Sequence, residues 1–255
     1  MPLFQIQGLT HYFGGLRAVQ DFNIILEGGE LMGLIGPNGA GKTTVFNLVC
    51  GVYRPTRGEI RLSGTSLLGR YPHQVSCLGI ARTFQNIRLW TNMTVLDNLN
   101  VAQHCHLGYG LSGLFLKTKT FRQREGDIHR VSREMLEMLE LKDVAHEVTK
   151  NLPYGIQRRV EIGRALATKP TLLLLDEPAA GLNSAEVVGL MRLIQWIQKE
   201  FRLTVWLIEH QMQVVMNICT WIQVLDFGAT IAEGTPDDIK QNKRVIDAYL
   251  GEEVD

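Results

Sequence analysis

The chain has 255 residues, 26 Lys plus Arg against 26 Asp plus Glu, and 45% apolar against 20% charged residues. That length and composition suit one or two folded domains and exclude general disorder. A net charge of zero offers no global attraction to a polyphosphate backbone, which argues against a sequence-independent nucleic-acid binder.

The first element in chain order is Leu3 to Gln7, where apolar and polar residues alternate as in an edge strand of an antiparallel piece. Phe22 to Leu26 reads as a second strand, and Gly28-Gly29 turns the chain. Leu31 to Ile35 is almost wholly apolar, the pattern of a strand buried on both faces. A glycine-rich loop from Gly36 leads to a helix over Val45 to Val49, stopped by Gly51. Short strands follow at Glu59 to Leu62 and Gly79 to Phe84.

Between Asn86 and Asn151 the strand pattern vanishes. Thr94 can cap a helix through Val95 and Leu99, and Ile128, Val131, Met135, Met138 and Leu139 share one helical face. His104 to Arg124, with its basic cluster Lys117, Lys119, Arg122 and Arg124, has no clear period. The α/β alternation then resumes. Gln157 to Thr168 is helical, Leu172 to Leu175 is an apolar strand ending in Asp176-Glu177, and Asn183 with Glu186 forms a capping box for a helix through Ile197. Thr204 to Ile208 is a buried strand ending in Glu209-His210. Ile222 to Leu225 and Thr230 to Ala232 form a hairpin about Gly228, and Thr235-Pro236 with Asp238 starts a last helix. One α/β chain with a helical subdomain over about 86–155, and a closing hairpin and helix over about 220–255, is expected.

Cys50, Cys77, Cys105 and Cys219 are widely spaced and form no CxxC pair, as expected of free thiols in a reducing compartment. His104-Cys105-His106 looks metal-like, but no fourth ligand is near. Met1 to Gly8 carries no export pattern, and no apolar run approaches the roughly 20 residues that span a bilayer. Any membrane role is expected to pass through a partner.

Gly36-Pro37-Asn38-Gly39-Ala40-Gly41-Lys42-Thr43 fits G-x-x-x-x-G-K-[ST], with a strand before it and a helix after it. Glycines let backbone N–H groups converge on phosphate oxygens, Lys42 adds a full charge, and the Thr43 hydroxyl suits Mg²⁺. Asp176, at the tip of a buried strand, can hold the metal through water, and Glu177 can take a proton from an attacking water. Gln85 can reach the metal or that water, and His210 is a candidate contact for the γ-phosphate.

The order of these motifs, with Leu152-Pro153-Tyr154-Gly155-Ile156, Gln157-Arg158-Arg159 and Gly181-Leu182-Asn183, resembles the ATP-binding-cassette ATPases over essentially the whole chain. Phe13-Gly14-Gly15-Leu16, Arg82-Thr83-Phe84-Gln85, Gly113 to Thr118 and Val245 to Gly251 are similar to the ATP-binding subunits of bacterial branched-chain amino-acid importers. The resemblance implies a phosphate-loop fold with antiparallel and helical subdomains, binding of ATP and Mg²⁺ by residues Gly36 to Thr44, and ATP hydrolysis driving uptake of leucine, isoleucine and valine. It implies adenine stacking on Phe13 (Tyr12 being the alternative) and a lid role for Gln85. It also implies head-to-tail pairing with a second cassette, two transmembrane permease subunits, a periplasmic binding protein at one remove, and a place on the cytoplasmic face of the bacterial inner membrane. Within that resemblance another cargo (urea, a short amide, lipopolysaccharide) or a non-transport role is the alternative.

The segment Leu152 to Ile156 departs from the family's Leu-Ser-Gly-Gly-Gln signature. Pro153 carries neither the serine hydroxyl nor a backbone N–H, Ile156 stands for glutamine, and Asn183 stands where Asp is usual. A heterodimer with two unequal sites is expected.

Overall fold

The structure, a computed structural model, describes residues 2–106 and 118–250. Its strands are β1 (Phe4–Phe13), β2 (Leu16–Leu26), β3 (Leu31–Ile35), β4 (Arg57–Leu62), β5 (Thr65–Ser66), β6 (Ile80–Arg82), β7 (Leu172–Asp176), β8 (Thr204–Ile208), β9 (Trp221–Asp226) and β10 (Ala229–Gly234). Its helices are α1 (Lys42–Val49), α2 (Pro72–Cys77), α3 (Val95–Ala102), α4 (Lys119–Met138), α5 (Tyr154–Ala167), α6 (Ser184–Glu200), α7 (Met212–Ile218), α8 (Pro236–Gln241) and α9 (Lys243–Leu250). Two units emerge. One joins Met1–Gln85 to Thr171–Asp255, and the other is Asn86–Pro170.

The first unit holds two sheets, in the orders β2-β1-β4-β5 and β10-β9-β3-β8-β7-β6. In the second sheet β9, β3, β8, β7 and β6 run parallel, and β10 closes one edge antiparallel. The all-apolar β3, β7 and β8 are buried at every position, as central parallel strands covered on both faces must be. Phe227 and Gly228 join β9 to β10 with φ of 41° and 80°, the double left-handed turn that matches strand twist.

Leu3 to Gln7 is not an edge strand. Its residues from Phe4 onward lie within β1, which pairs with β2 on one side and β4 on the other. Its alternation records faces rather than edges: Phe4 and Ile6 are buried, while Gln7 on the other face is exposed. Both long strands of this hairpin run further than their sequence pattern suggests, because register shifts between Ile6 and Tyr12 break the alternation.

The first unit's core centres on Trp206, fully buried on β8. Its ring lies 5.8 Å from Phe4, 6.2 Å from Phe22 and 5.0 Å from Phe46. These partners come from β1, β2 and α1, so one indole ties both sheets to the helix behind the phosphate loop.

The second unit is helical among its described residues. Thr94 caps α3 in a capping box with Asp97. Helix α4 starts at Lys119, inside the stretch that shows no clear period in the sequence, and buries Ile128, Val131, Met135 and Leu136. Leu139 is buried just beyond it, whereas Met138 is only half-buried. Gly163 of α5 lies where a Cβ would come 2.5 Å from Leu139 Cδ1 and 3.2 Å from Leu99 Cδ2, so glycine permits this close helix packing. Gly113 to Lys117 and Gly251, segments of the family resemblance and of the basic cluster, lie outside the described residues, as do the side chains of Cys105 and His106.

Replacing Trp206 by alanine should cost about 3–5 kcal/mol of stability through the cavity left behind. The indole N–H has no hydrogen-bond partner, so Trp206→Phe should lose markedly less. Urea unfolding midpoints of the two variants check the order.

Candidate nucleotide site

The glycine-rich loop leaves β3 at Gly36 and enters α1 at Lys42. Gly36 has φ 148°, and a Cβ there would lie 1.9 Å from the Leu225 carbonyl oxygen of β9. Gly41 has φ 102°, and its Cβ would lie 2.4 Å from the Ala18 carbonyl oxygen of β2. Only glycine allows the loop to be pressed against both strands. Gly41 is also the N-cap of α1 and brings no side-chain oxygen to the first turn, which suits that turn to an external anion. Lys42 is buried, and its Nζ donates to the carbonyl oxygens of Gly36 at 2.6 Å and Pro37 at 2.7 Å. Asn38 and Gly39 are exposed, Pro37 and Ala40 are buried, and at the start of α1 Thr43 is exposed and Thr44 half-buried.

Asp176 ends β7 with its side chain 5% exposed. Its Oδ2 accepts from Arg82 Nη2 at 2.5 Å, and Arg82 Nη1 donates to Asn47 Oδ1 of α1 at 2.7 Å. The guanidinium lies over the rings of Phe46 and Phe84, 5.5 Å and 4.9 Å from their centroids.

Glu177 follows with φ 45°, its N–H bonded to the Ile208 carbonyl at 2.9 Å. Its Oε2 accepts from Gln85 Nε2 at 2.7 Å and lies 3.5 Å from His210 Nδ1. The structure thus brings Gln85, Glu177 and His210 together, with Asp176 one residue away. The oxygens of Thr43, Asp176 and Gln85 are hard donors of the kind Mg²⁺ prefers. The glycine-formed loop and these donors fit a magnesium–nucleotide ligand.

Phe13, 43% exposed at the end of β1, meets His11 edge-on at 4.6 Å and Tyr53 at 5.2 Å, and His11 stacks on Tyr53 at 5.8 Å. Tyr12, its neighbour on the strand, projects to the opposite face.

In the second unit, Pro153 is the N-cap of α5, and no side chain caps that helix. Leu152 is buried, Pro153 and Tyr154 are exposed, and Gly155 and Ile156 are half-buried. Gln157 Nε2 donates to the Leu152 carbonyl at 2.8 Å, and Arg158 Nη2 donates to the Tyr154 hydroxyl at 3.0 Å. Arg158 in turn pairs with Glu161 at 2.7 Å, both side chains almost wholly buried.

Sequence reasoning missed Tyr53, gave Arg82 no role of its own, and left Glu209 as a strand terminus. Glu209 is fully buried and accepts from three backbone N–H groups: Ala179 at 2.8 Å, His210 at 3.2 Å and Gln211 at 3.4 Å. A signal existed in both charged cases. Arg82 closes the apolar strand Ile80-Ala81, and Glu209 directly follows five buried residues, so each charge demands a partner.

A phosphate loop, an acidic strand tip beside a second carboxylate, and the glutamine and histidine that meet it define a nucleotide-hydrolysing cassette. Residues 19–180 match the sequence profile of the ABC transporter family, and the chain belongs to that family as an ATP-binding, ATP-hydrolysing subunit. Within it, residues 229–255 match a profile described as branched-chain amino acid ATP-binding cassette transporter. The chain is 48% identical over 252 residues, 98% of each chain, to the high-affinity branched-chain amino acid transport ATP-binding protein BraF of Pseudomonas aeruginosa. It is 46% identical over 251 residues, again 98% of each, to LivG of Escherichia coli K12, which has the same description. A crystal structure of a nucleotide-free ATP-binding cassette from an ABC transporter superposes with TM-score 0.85 at 27% identity, covering 98% of this chain and 99% of that one.

Arg82→Met would leave Asp176 buried without its cation, and unfolding free energy should fall by about 3–5 kcal/mol. Arg82→Met with Asp176→Leu should recover much of that loss, because no uncompensated charge remains. Denaturant titration of the single and double variants tests the coupling.

Proposed function

We propose that the chain is the motor of an importer for branched-chain amino acids, hydrolysing MgATP at the cytoplasmic face of a bacterial inner membrane. Support for the cargo comes from the names borne by its relatives and from the profile matched at its C-terminal end. None of its described helices is long and apolar enough to cross a membrane, so coupling passes through permease subunits. In this reading two such subunits receive it, and a periplasmic binding protein delivers the cargo to them.

The observation that carries the hydrolytic mechanism is the meeting of Gln85, Glu177 and His210 beside Asp176. The loop from Gly36 to Thr44 wraps the phosphates with backbone N–H groups, and Lys42 exchanges its loop carbonyls for phosphate oxygens. Phe13, with His11 and Tyr53 behind it, offers the adenine a ring face. Thr43, Asp176 and Gln85 would hold Mg²⁺, which when bound would neutralise charge on the phosphates. Glu177 accepts the proton of the attacking water, Gln85 orients that carboxylate through its amide, and His210 donates to the γ-phosphate.

The segment from Leu152 to Ile156 meets the ATP held by a second cassette. Lacking the serine hydroxyl, it forgoes a charge-assisted hydrogen bond worth about 1.5–3 kcal/mol. A heterodimer then has one fast site, built on Lys42, Asp176 and Glu177 and completed by a partner's intact signature, and one slow site completed by Pro153.

Four measurements test the reading. Glu177→Gln should keep ATP binding while hydrolysis by the assembled transporter falls about a hundredfold or more. Wild-type turnover in that variant would move the base elsewhere. Lys42→Ala should weaken ATP binding by about tenfold or more. The purified chain alone should hydrolyse slowly, and a homodimer that matches the assembled complex would exclude unequal sites. Uptake of labelled leucine by the reconstituted complex checks the cargo.

A further inference from the structure

Four hydrogen bonds and contacts stitch the loop after β7 to the loop after β8. The Glu177 N–H reaches the Ile208 carbonyl at 2.9 Å, and Gln211 Nε2 reaches the Ala179 carbonyl at 3.4 Å. His210 Nδ1 approaches Glu177 Oε2 at 3.5 Å. The fourth link is Glu209, and it alone involves a fully buried charged side chain. Its Oε1 takes the Ala179 N–H, while its Oε2 takes those of His210 and Gln211.

We infer that Glu209 is a positioning residue for hydrolysis, a buried carboxylate that fixes the Glu177 loop and the His210 loop to each other so that base and γ-phosphate contact keep one geometry. The inference rests on the hydrolytic reading given above. A group that only filled space here would be apolar, because burying a carboxylate is costly unless its oxygens are fully occupied. Every donor facing this one is a backbone N–H, so only an acceptor at both oxygens satisfies the site. Burial raises the Glu209 carboxyl above its ordinary value, and the N–H groups of Ala179 and Gln211 and the nearby His210 pull it back. Glu177 and Cys219 are the other titratable groups that feel its charge. The carboxylate oxygens of Glu209 meet backbone N–H groups, so it acts through Glu177 and His210, whose loops it joins.

An amide at this position has the same shape but replaces one acceptor by an NH₂ group facing N–H donors. Aspartate keeps the charge but is one methylene short, so it can serve His210 and Gln211 beside it and lose Ala179 across the gap. The experiment uses the full chain copurified with its membrane subunits, as wild type, Glu209→Gln and Glu209→Asp. It compares ATP affinity, kcat for ATP, thermal midpoint, and hydrogen exchange in segments 177–182 and 209–212. For Glu209→Gln, kcat should fall by about a hundredfold, the cost of a small misplacement at a reacting centre. ATP affinity should hold and the thermal midpoint should fall by only about 2–8 °C, the cost of a buried donor left unmet, while the amides of Ala179 and Gln211 exchange faster together. Glu209→Asp should lose less kcat and speed exchange chiefly at Ala179.

A folded Glu209→Gln with kcat within about threefold of wild type overturns the inference, as does a parallel loss of affinity, midpoint and kcat. Should Glu209→Gln fail to fold, Glu209→Asp decides, and wild-type kcat with unchanged Ala179 exchange overturns it. Wild type that fails to bind ATP would instead overturn the nucleotide reading itself, a distinguishable result.

Discussion

The parallel register of three buried strands governs where the chemistry falls. Leu34 of β3 lies level with Ile208 of β8, and Ile208 lies level with Asp176 of β7. One residue past that row come Glu209 and Glu177, and two residues past Leu34 comes Gly36. The Thr83 N–H continues the β6 pairing to the Leu174 carbonyl at 3.0 Å, which delivers Gln85 to the same rim. Parallel strands end together at their carboxyl ends, where open α/β sheets bind ligands. A slip of one residue in β7 would reverse every side chain on it and carry Asp176 to the other face. Burial of all five residues in each of β3, β7 and β8 gives no contrast between faces, so polar anchors at the strand end hold the register: Arg82 on Asp176 and the Glu177 N–H on the Ile208 carbonyl.

Three carboxylates on this rim live in three environments, and the environments separate their work. Asp176 is paired with a guanidinium that is itself pinned to Asn47 of α1, so its orientation is fixed from the phosphate-loop side. Glu177, 13% exposed, faces a neutral amide and a half-exposed imidazole. Glu209 sees no solvent and only backbone donors. Arg82 also faces Cys50, whose thiol burial pushes up while the guanidinium opposes that shift. One cation thus holds Asp176 and Asn47 and lies against Cys50, joining the strand tip to the helix of the phosphate loop.

Legibility in the sequence followed the range of the interaction. The phosphate loop, the caps of α3, α6 and α8, and the buried strands β3, β7 and β8 were readable because contiguous residues encode them. Asn183 with Glu186 and Thr235 with Asp238 form their capping boxes within four positions. The strand order was not readable from alternation, so β1 was taken for an edge although β4 covers it. Helix α2 was missed because six residues with one buried side chain carry almost no period. The starts of α1 and α5 came three residues earlier than their apolar patterns suggest, since Lys42, Thr43 and Thr44 open α1 without an apolar residue and the exposed Tyr154 with Gly155 opens α5. Arg82 with Asp176 and Ala179 with Glu209 are separated by 94 and 30 residues, so the need of each buried charge for a partner was legible while the partner itself was not.

In the proposed role of the Leu152 to Ile156 segment, anion recognition would fall to the backbone at the helix start, because no side chain caps that helix. Pro153 sits at φ −54° and ψ 149° and opens the fourteen-residue α5. Its ring fixes φ, so the entry to the helix is already ordered before any ligand arrives. The N–H groups of the first turn and the helix dipole stay on offer to a phosphate, while the hydroxyl that would add a charge-assisted bond is gone. Gln157 ties back to the Leu152 carbonyl, and Tyr154 is held by Arg158, which is locked to the buried Glu161. The segment is therefore rigid but short of one donor. Rigidity favours holding a nucleotide, and the missing donor removes an interaction aimed at the γ-phosphate, where charge develops during hydrolysis. In the proposed pairing of two cassettes, a site completed by this segment would bind more than turn over, and the fast site would be the one completed by an intact signature.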